Sequence, residues 1–136
     1  MEDAGLHIIV DARVRDVAVF TRAGLGRLFA ALTDVLEMKP LDRPMIYEVP
    51  VDPEVLERVR ETGCFEDEGG ITGVQVISTS HLSVHAWPLQ RFFSLDAFSC
   101  KTFDVDRALG VIREVMGVES ENVQVVERYK PAFRSR

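Results

Sequence analysis

A chain of 136 residues, 46% of them apolar, is long enough to bury one core and too short for two ordinary domains. A net charge of −6 argues against phosphate-backbone binding as the main task and is compatible with a cationic small substrate. No apolar run approaches the roughly 20 residues of a membrane span, the start MEDAGLH lacks the basic and apolar blocks of a signal peptide, and Cys64 and Cys100 form no CxxC pair. The expectation is a soluble, cytoplasmic, single-domain protein in a reducing compartment, without a metal site or disulfide framework and without nucleic acid or membrane as partner.

In chain order, Gly5 to Ala12 is apolar and β-branched and reads as a buried first strand. His7, a lone histidine at a strand start, reads as a satisfied structural group and stays outside the candidate site. Thr21 has the chemistry of an N-cap, and Leu25, Leu28, Phe29, Leu32, Val35 and Leu36 fall on one helical stripe. Gly24 and Gly26 weaken the first turn of that helix and Pro40 is expected to end it. Met45 to Val51 reads as a second strand, and Asp52-Pro53 opens a short helix through Val55, Leu56 and Val59, with Asp at the N-cap and Pro at the first helical position. The acidic, glycine-flanked GCFEDEGG, residues 63–70, reads as a mobile loop. Within it, Phe65 either anchors the loop in the core or covers a substrate, with the anchor favoured.

Thr72 to Pro88, TGVQVISTSHLSVHAWP, concentrates hydroxyls, two of the three histidines and the only tryptophan. At period two, Ile77, Thr79, His81, Ser83, His85 and Trp87 point one way and Val76, Ser78, Ser80, Leu82, Val84 and Ala86 the other. The small polar run Ser78-Thr79-Ser80 marks a kink or a tight reversal between two strands. Such a face also fits any half-buried antiparallel strand. Arg91 to Ser99 alternates again and pairs back as another strand. Asp104 then caps a helix carrying Val105, Ala108, Leu109, Ile112, Val115 and Met116, which closes at Gly117. Asn122 to Arg128 supplies the last strand, and Lys130 to Arg136 a frayed basic tail. Two substantial helices with five or six strands imply an α+β fold, a two-layer sandwich with a mostly antiparallel sheet and the helices on one face.

The segment ISTSHLSVHAWP, followed by LDAFSC at Leu95 to Cys100, resembles the core of the prokaryotic, pyruvoyl-dependent S-adenosylmethionine decarboxylases. The resemblance is dense from Ile71 to Cys100 and poor over residues 40–70. It implies a proenzyme in which Ser80 attacks the Thr79 carbonyl, the ester breaks down, and the second chain starts with a pyruvoyl group derived from Ser80. It further implies a supporting hydroxyl at Thr72, where the family has Ser, and a base at His85 that removes the Cα proton of residue 80. In the mature enzyme the pyruvoyl carbonyl would form a Schiff base with the substrate amine, and Cys100 would return a proton to the product carbon. Without the motif, Cys100 reads as a small buried hydrophobe. Phe65, Trp87 and Leu89 are the candidate substrate-binding positions, and a homodimer with shared sites is implied. The pathway implied is polyamine (spermidine) synthesis.

Two positions depart from the family pattern. Thr79 stands where Glu commonly precedes the processed serine, and Leu89 stands where a Glu after Trp-Pro binds the substrate ribose. Because arginine and ornithine have no ribose, a pyruvoyl-dependent decarboxylase of either basic amino acid is the first alternative. An unprocessed homologue that binds a ligand or partner without catalysis is the second.

Overall fold

The computed structural model describes residues 5–131. Strand β1 (Gly5–Val14) buries Leu6, Ile8, Val10, Ala12 and Val14 beneath the helices and turns His7, Ile9, Asp11 and Arg13 to the opposite face. Helix α1 (Arg22–Val35) starts where the Thr21 hydroxyl accepts the Gly24 N–H at 3.0 Å, and its buried stripe is the expected one. A Cβ on Gly24 would come within 1.9 Å of the Val19 carbonyl oxygen. Glycine there is what lets the preceding 3-10 turn, Val17–Val19, pack against the helix, and is not merely a weak helix former. The helix ends through Leu36 and a left-handed Glu37 (φ 54°), ahead of Pro40, so the proline is not the stop.

Strand β2 (Met45–Val49) is two residues shorter than expected. Helix α2 (Glu54–Thr62) has Pro53 at its N-cap, so it starts one residue later than the sequence signal, while Asp52 Oδ1 still accepts the Glu54 N–H at 3.0 Å. Strands β3 (Gly70–Ile77), β4 (Ser80–Trp87) and β5 (Phe92–Ser99) form an antiparallel meander. Helix α3 (Val105–Met116) is capped by Asp104, which accepts from the Arg107 N–H, and closes at left-handed Gly117 (φ 65°). Strand β6 (Val118–Arg128) begins four residues before the expected Asn122, because an edge strand pairing with β1 does not need the alternation that Glu119, Ser120 and Glu121 lack. The expected tail is described only as far as residue 131, and its remainder lies outside the described residues.

The strand order is β2-β3-β4-β5-β1-β6, with every neighbouring pair antiparallel. Helices α1 and α3 cover one face and enclose a core that includes Ile8, Val10, Phe29, Leu82, Phe93, Leu95 and Ile112. This is the two-layer α+β sandwich implied by the sequence. Among the described residues the other face has no second layer, which leaves Met45, Tyr47, Val49, Val76 and Val126 between 40% and 59% exposed. No helix among the described residues is long and apolar enough to cross a membrane.

Candidate active site

The hairpin between β3 and β4 closes with Ile77 opposite Ser80, which makes Ser78-Thr79 a two-residue turn. Residues paired across a turn face the same way, so Ile77 shares the buried face with Ser80 and not the open face with His81. The expected reversal is therefore present, and the faces expected for Val76 and Ile77 relative to β4 are exchanged by it. On β4, Ser80, Leu82, Val84 and Ala86 lie beneath the helices, and His81, Ser83, His85 and Trp87 line the open face.

Thr79 carries the strain of this turn. Its φ is 56°, a left-handed conformation that costs a residue with a Cβ about 1–2 kcal/mol and is least natural for a β-branched one. Tight reversals usually place Gly or Asn there. The Thr79 hydroxyl donates to Cys100 Sγ at 3.0 Å, and the Cys100 N–H donates to Ser80 Oγ at 2.9 Å. Ser80 is only 6% exposed. The Thr79 hydroxyl holds the Cys100 thiol below its ordinary range, against the opposing effect of burial and with help from the Ser80 hydroxyl. Thr79, Ser80 and Cys100 thus form one cluster at the tip of the hairpin.

Thr72 and His85 form a second cluster. They are directly paired across β3 and β4, with Thr72 Oγ1 and His85 Nδ1 3.0 Å apart. Five residues of strand, at roughly 3.3 Å each, put His85 about 16 Å from Ser80 along β4. One chain therefore does not bring its own Thr72–His85 pair to its own Thr79–Ser80 bond.

Around the second cluster lies an aromatic shelf. Phe65 meets Trp87 edge-on with centroids 4.9 Å apart, and Phe92 packs 5.9 Å from Phe65 and 5.7 Å from Trp87. Phe65 is 53% exposed, so the core-anchor expectation is wrong: its ring leans on the open face because Trp87 and Phe92 offer more aromatic surface there than the filled core can. Leu89 sits in the turn that joins β4 to β5.

The acidic loop is pinned more firmly than its composition implies. Glu68, 1% exposed, accepts the Leu89 and Gln90 backbone N–H groups at 2.8 and 3.0 Å, and also the Gln90 side-chain amide. Glu66 pairs with Arg58 at 3.0 Å. Asp67 Oδ1 accepts from Trp87 Nε1 at 3.0 Å and from the Gly69 N–H at 3.1 Å. A Cβ on Gly70 would lie 1.9 Å from the Ala86 carbonyl oxygen, so glycine is required where the loop joins the sheet. Sequence reasoning did not find the separate roles of these acids, because three consecutive acids look alike until each partner is known. His7 proves to be the satisfied group expected, with Nε2 2.8 Å from Asp96 Oδ1.

The architecture matches a solved structure end to end. The crystal structure of the adenosylmethionine decarboxylase from Aquifex aeolicus superimposes with a TM-score of 0.70 over 100% of this chain and 99% of that one, at 21% identity, a likeness that establishes the fold. The S-adenosylmethionine decarboxylase proenzyme of Archaeoglobus fulgidus is 29% identical over 105 residues, covering 76% of this chain and 93% of its own. The proenzyme of the same name from Thermosipho africanus is 41% identical over 66 residues, covering 47% of this chain and 48% of its own. That from Thermococcus onnurineus is 23% identical over 129 residues, covering 94% and 79%. The family model for S-adenosylmethionine decarboxylase matches residues 7–129, and the chain belongs to that family.

Proposed function

We propose that this chain is a self-cleaving proenzyme whose Thr79–Ser80 bond breaks to leave a pyruvoyl group at residue 80, and that the product decarboxylates S-adenosylmethionine for polyamine synthesis. The observation that carries this reading is the hairpin tip: a strained Thr79, a buried Ser80, and Cys100 in hydrogen-bond contact with both. Ser80 Oγ attacks the Thr79 carbonyl carbon, its proton passes to the departing Ser80 nitrogen, and an ester replaces the amide; loss of the residue-80 Cα proton then expels Thr79 as a carboxylate, and water hydrolyses the enamine left at residue 80 to the pyruvoyl ketone with release of ammonia. Relief of the Thr79 conformation favours that exchange. The Cys100 N–H holds the serine oxygen in position for that attack.

The residues fit the group they would carry. Ser80 opens β4 with strand partners on both sides of its hairpin, so a new chain start at residue 80 stays in register. A pyruvoyl group supplies an electron sink for the loss of carbon dioxide. Cys100 then holds the proton due to the product carbon. In the uncut chain the Thr79 hydroxyl favours its thiolate. Cutting after Thr79 frees that residue from Ser80 and lets the thiol move back toward its ordinary range.

His85 acts on the ester. An imidazole held at Nδ1 by the Thr72 hydroxyl has its other nitrogen available to take the Cα proton of residue 80 and break the ester. Since its own Ser80 is about 16 Å away along the strand, the serine it serves belongs to a second copy. The uncovered sheet face, with Tyr47 beside Thr72, gives two copies a surface on which to pack, and a two-fold axis would create two equal sites. The functional unit in this reading is a homodimer.

The test is carbon dioxide release from S-adenosylmethionine, arginine and ornithine, run beside intact mass. We expect fragments of residues 1–79 and 80–136 and release from S-adenosylmethionine. Release from either amino acid alone would move the assignment to a basic amino-acid decarboxylase, as the missing acid at Leu89 allows. One uncut mass and silence on all three would leave a binding protein.

Cys100→Ala should separate the two stages. Cleavage, read by mass, is expected to continue. Decarboxylation should fall about 10²- to 10⁴-fold, the usual contribution of a positioned proton donor. Full turnover by Cys100→Ala would remove Cys100 from the chemistry.

A further inference from the structure

The cavity beside the Thr72–His85 pair holds about 130 Å³ and is lined by Asp67, Thr72, His85, Trp87 and the glycine backbone of residues 69 and 70. Asp67 is the one carboxylate among its lining residues. We propose that Asp67 is the specificity-determining acid of this enzyme, accepting hydrogen bonds from the ribose diol of S-adenosylmethionine. The inference rests on the substrate reading above and adds to it a residue to which no role has been given.

Three features make Asp67 suited to the task. First, its orientation is fixed: one oxygen accepts from both the Trp87 indole and the Gly69 N–H, which aims the carboxylate without removing its charge. Those same donors, the Gly69 N–H ahead of the Trp87 indole, hold its carboxyl below the usual range, so it stays anionic at neutral pH. Second, its neighbours are otherwise engaged. Glu66 is paired with Arg58, and Glu68 is buried against the Leu89–Gln90 turn, so neither reaches a ligand from its present position. Third, it borders the Phe65–Trp87 shelf, where the exposed Phe65 ring and the half-buried Trp87 ring offer stacking surface to a flat base. A ribose is bonded directly to that base, so an acid at the edge of the shelf meets the diol. Leu89, in the neighbouring turn, has no acceptor to offer in its side chain.

The experiment uses the processed dimer with S-adenosylmethionine and its 2′-deoxy analogue, with direct binding of dimethylsulfonioadenosine as a second readout. That compound keeps base, sugar and sulfonium but has no amino-acid end. In the native enzyme, removing the 2′-hydroxyl should raise KM about 10- to 100-fold with little change in kcat, the loss of one charge-assisted hydrogen bond. Asp67→Asn keeps an oxygen for the Trp87 indole and should raise KM for S-adenosylmethionine by a similar factor. Its further loss with the deoxy analogue should be less than about threefold. Asp67→Asn cleaved normally but retaining the native KM and the native penalty for the deoxy analogue would overturn the inference. If the native protein fails to turn over S-adenosylmethionine, the substrate reading falls by itself. Calorimetry with dimethylsulfonioadenosine then decides the Asp67 contact: tenfold weaker binding to Asp67→Asn supports it, and equal or absent binding by both proteins refutes it.

Discussion

Ser80→Ala is expected to stay a single chain of full mass indefinitely, while the native protein divides into fragments of residues 1–79 and 80–136. The amide-to-ester exchange needs an oxygen on the side chain of residue 80, and alanine has none. The variant also has no route to a pyruvoyl group, so trapping with borohydride or a hydrazine should label the native 80–136 fragment and leave Ser80→Ala unlabelled. A structural side effect has to be separated from the chemical one. Removing the Ser80 oxygen strips the Cys100 N–H of its acceptor in a buried corner, at a cost of about 1–3 kcal/mol. A melting curve identifies that loss, and a variant that stays folded yet uncut isolates the chemistry. A folded Ser80→Ala protein that still cleaves after Thr79 would show that another group attacks, and the assignment of Ser80 would fail.

Much of this arrangement was legible in the sequence wherever a pattern is enforced by burial. The stripe from Leu25 to Leu36 and the caps at Thr21 and Asp104 appear as read, because one buried face and one orphan N–H fix them locally. The open-face row of His81, Ser83 and His85 also appears as read, since β4 is straight and half-buried. The phase of Ile77 was not legible, because alternation carries no record of how many residues a turn consumes. Phe65 was misread for a related reason: an apolar ring in a loop says nothing about which face receives it, and here the receiving surface is built by Trp87 and Phe92 from other strands. The strain at Thr79 did have a signal. A reversal as short as Ser78-Thr79 with no Gly, Asn or Asp forces an ordinary residue into a left-handed conformation. The distance between the two halves of the motif depends on the element that carries them. Spacing of five residues from Ser80 to His85 looks close, yet in an extended strand it is about 16 Å, where in a helix it would be about 7.5 Å.

That distance sets up the second large effect. Of two variants, each inactive for cleavage alone, one should be rescued by the other when they are co-assembled, so that only one of the two chains is cut. In a mixed dimer of Ser80→Ala with His85→Ala, one site joins the intact Ser80 of the His85→Ala chain to the intact Thr72–His85 pair of its partner. The opposite site has neither group. The His85→Ala chain is therefore cut and the Ser80→Ala chain is never cut. Random assembly of equal amounts places about half of the His85→Ala chains in mixed dimers, so close to half of that chain should appear as fragments. Differently tagged chains, co-expressed and weighed, give the readout directly. Sites confined to one chain would leave both variants whole, because neither then has Ser80 and His85 together. Cutting of both chains would also be incompatible with shared sites, since the Ser80→Ala chain lacks the attacking oxygen in every arrangement. The geometry thus makes an asymmetric prediction: the chain that lost its base is rescued, and the chain that lost its nucleophile is not.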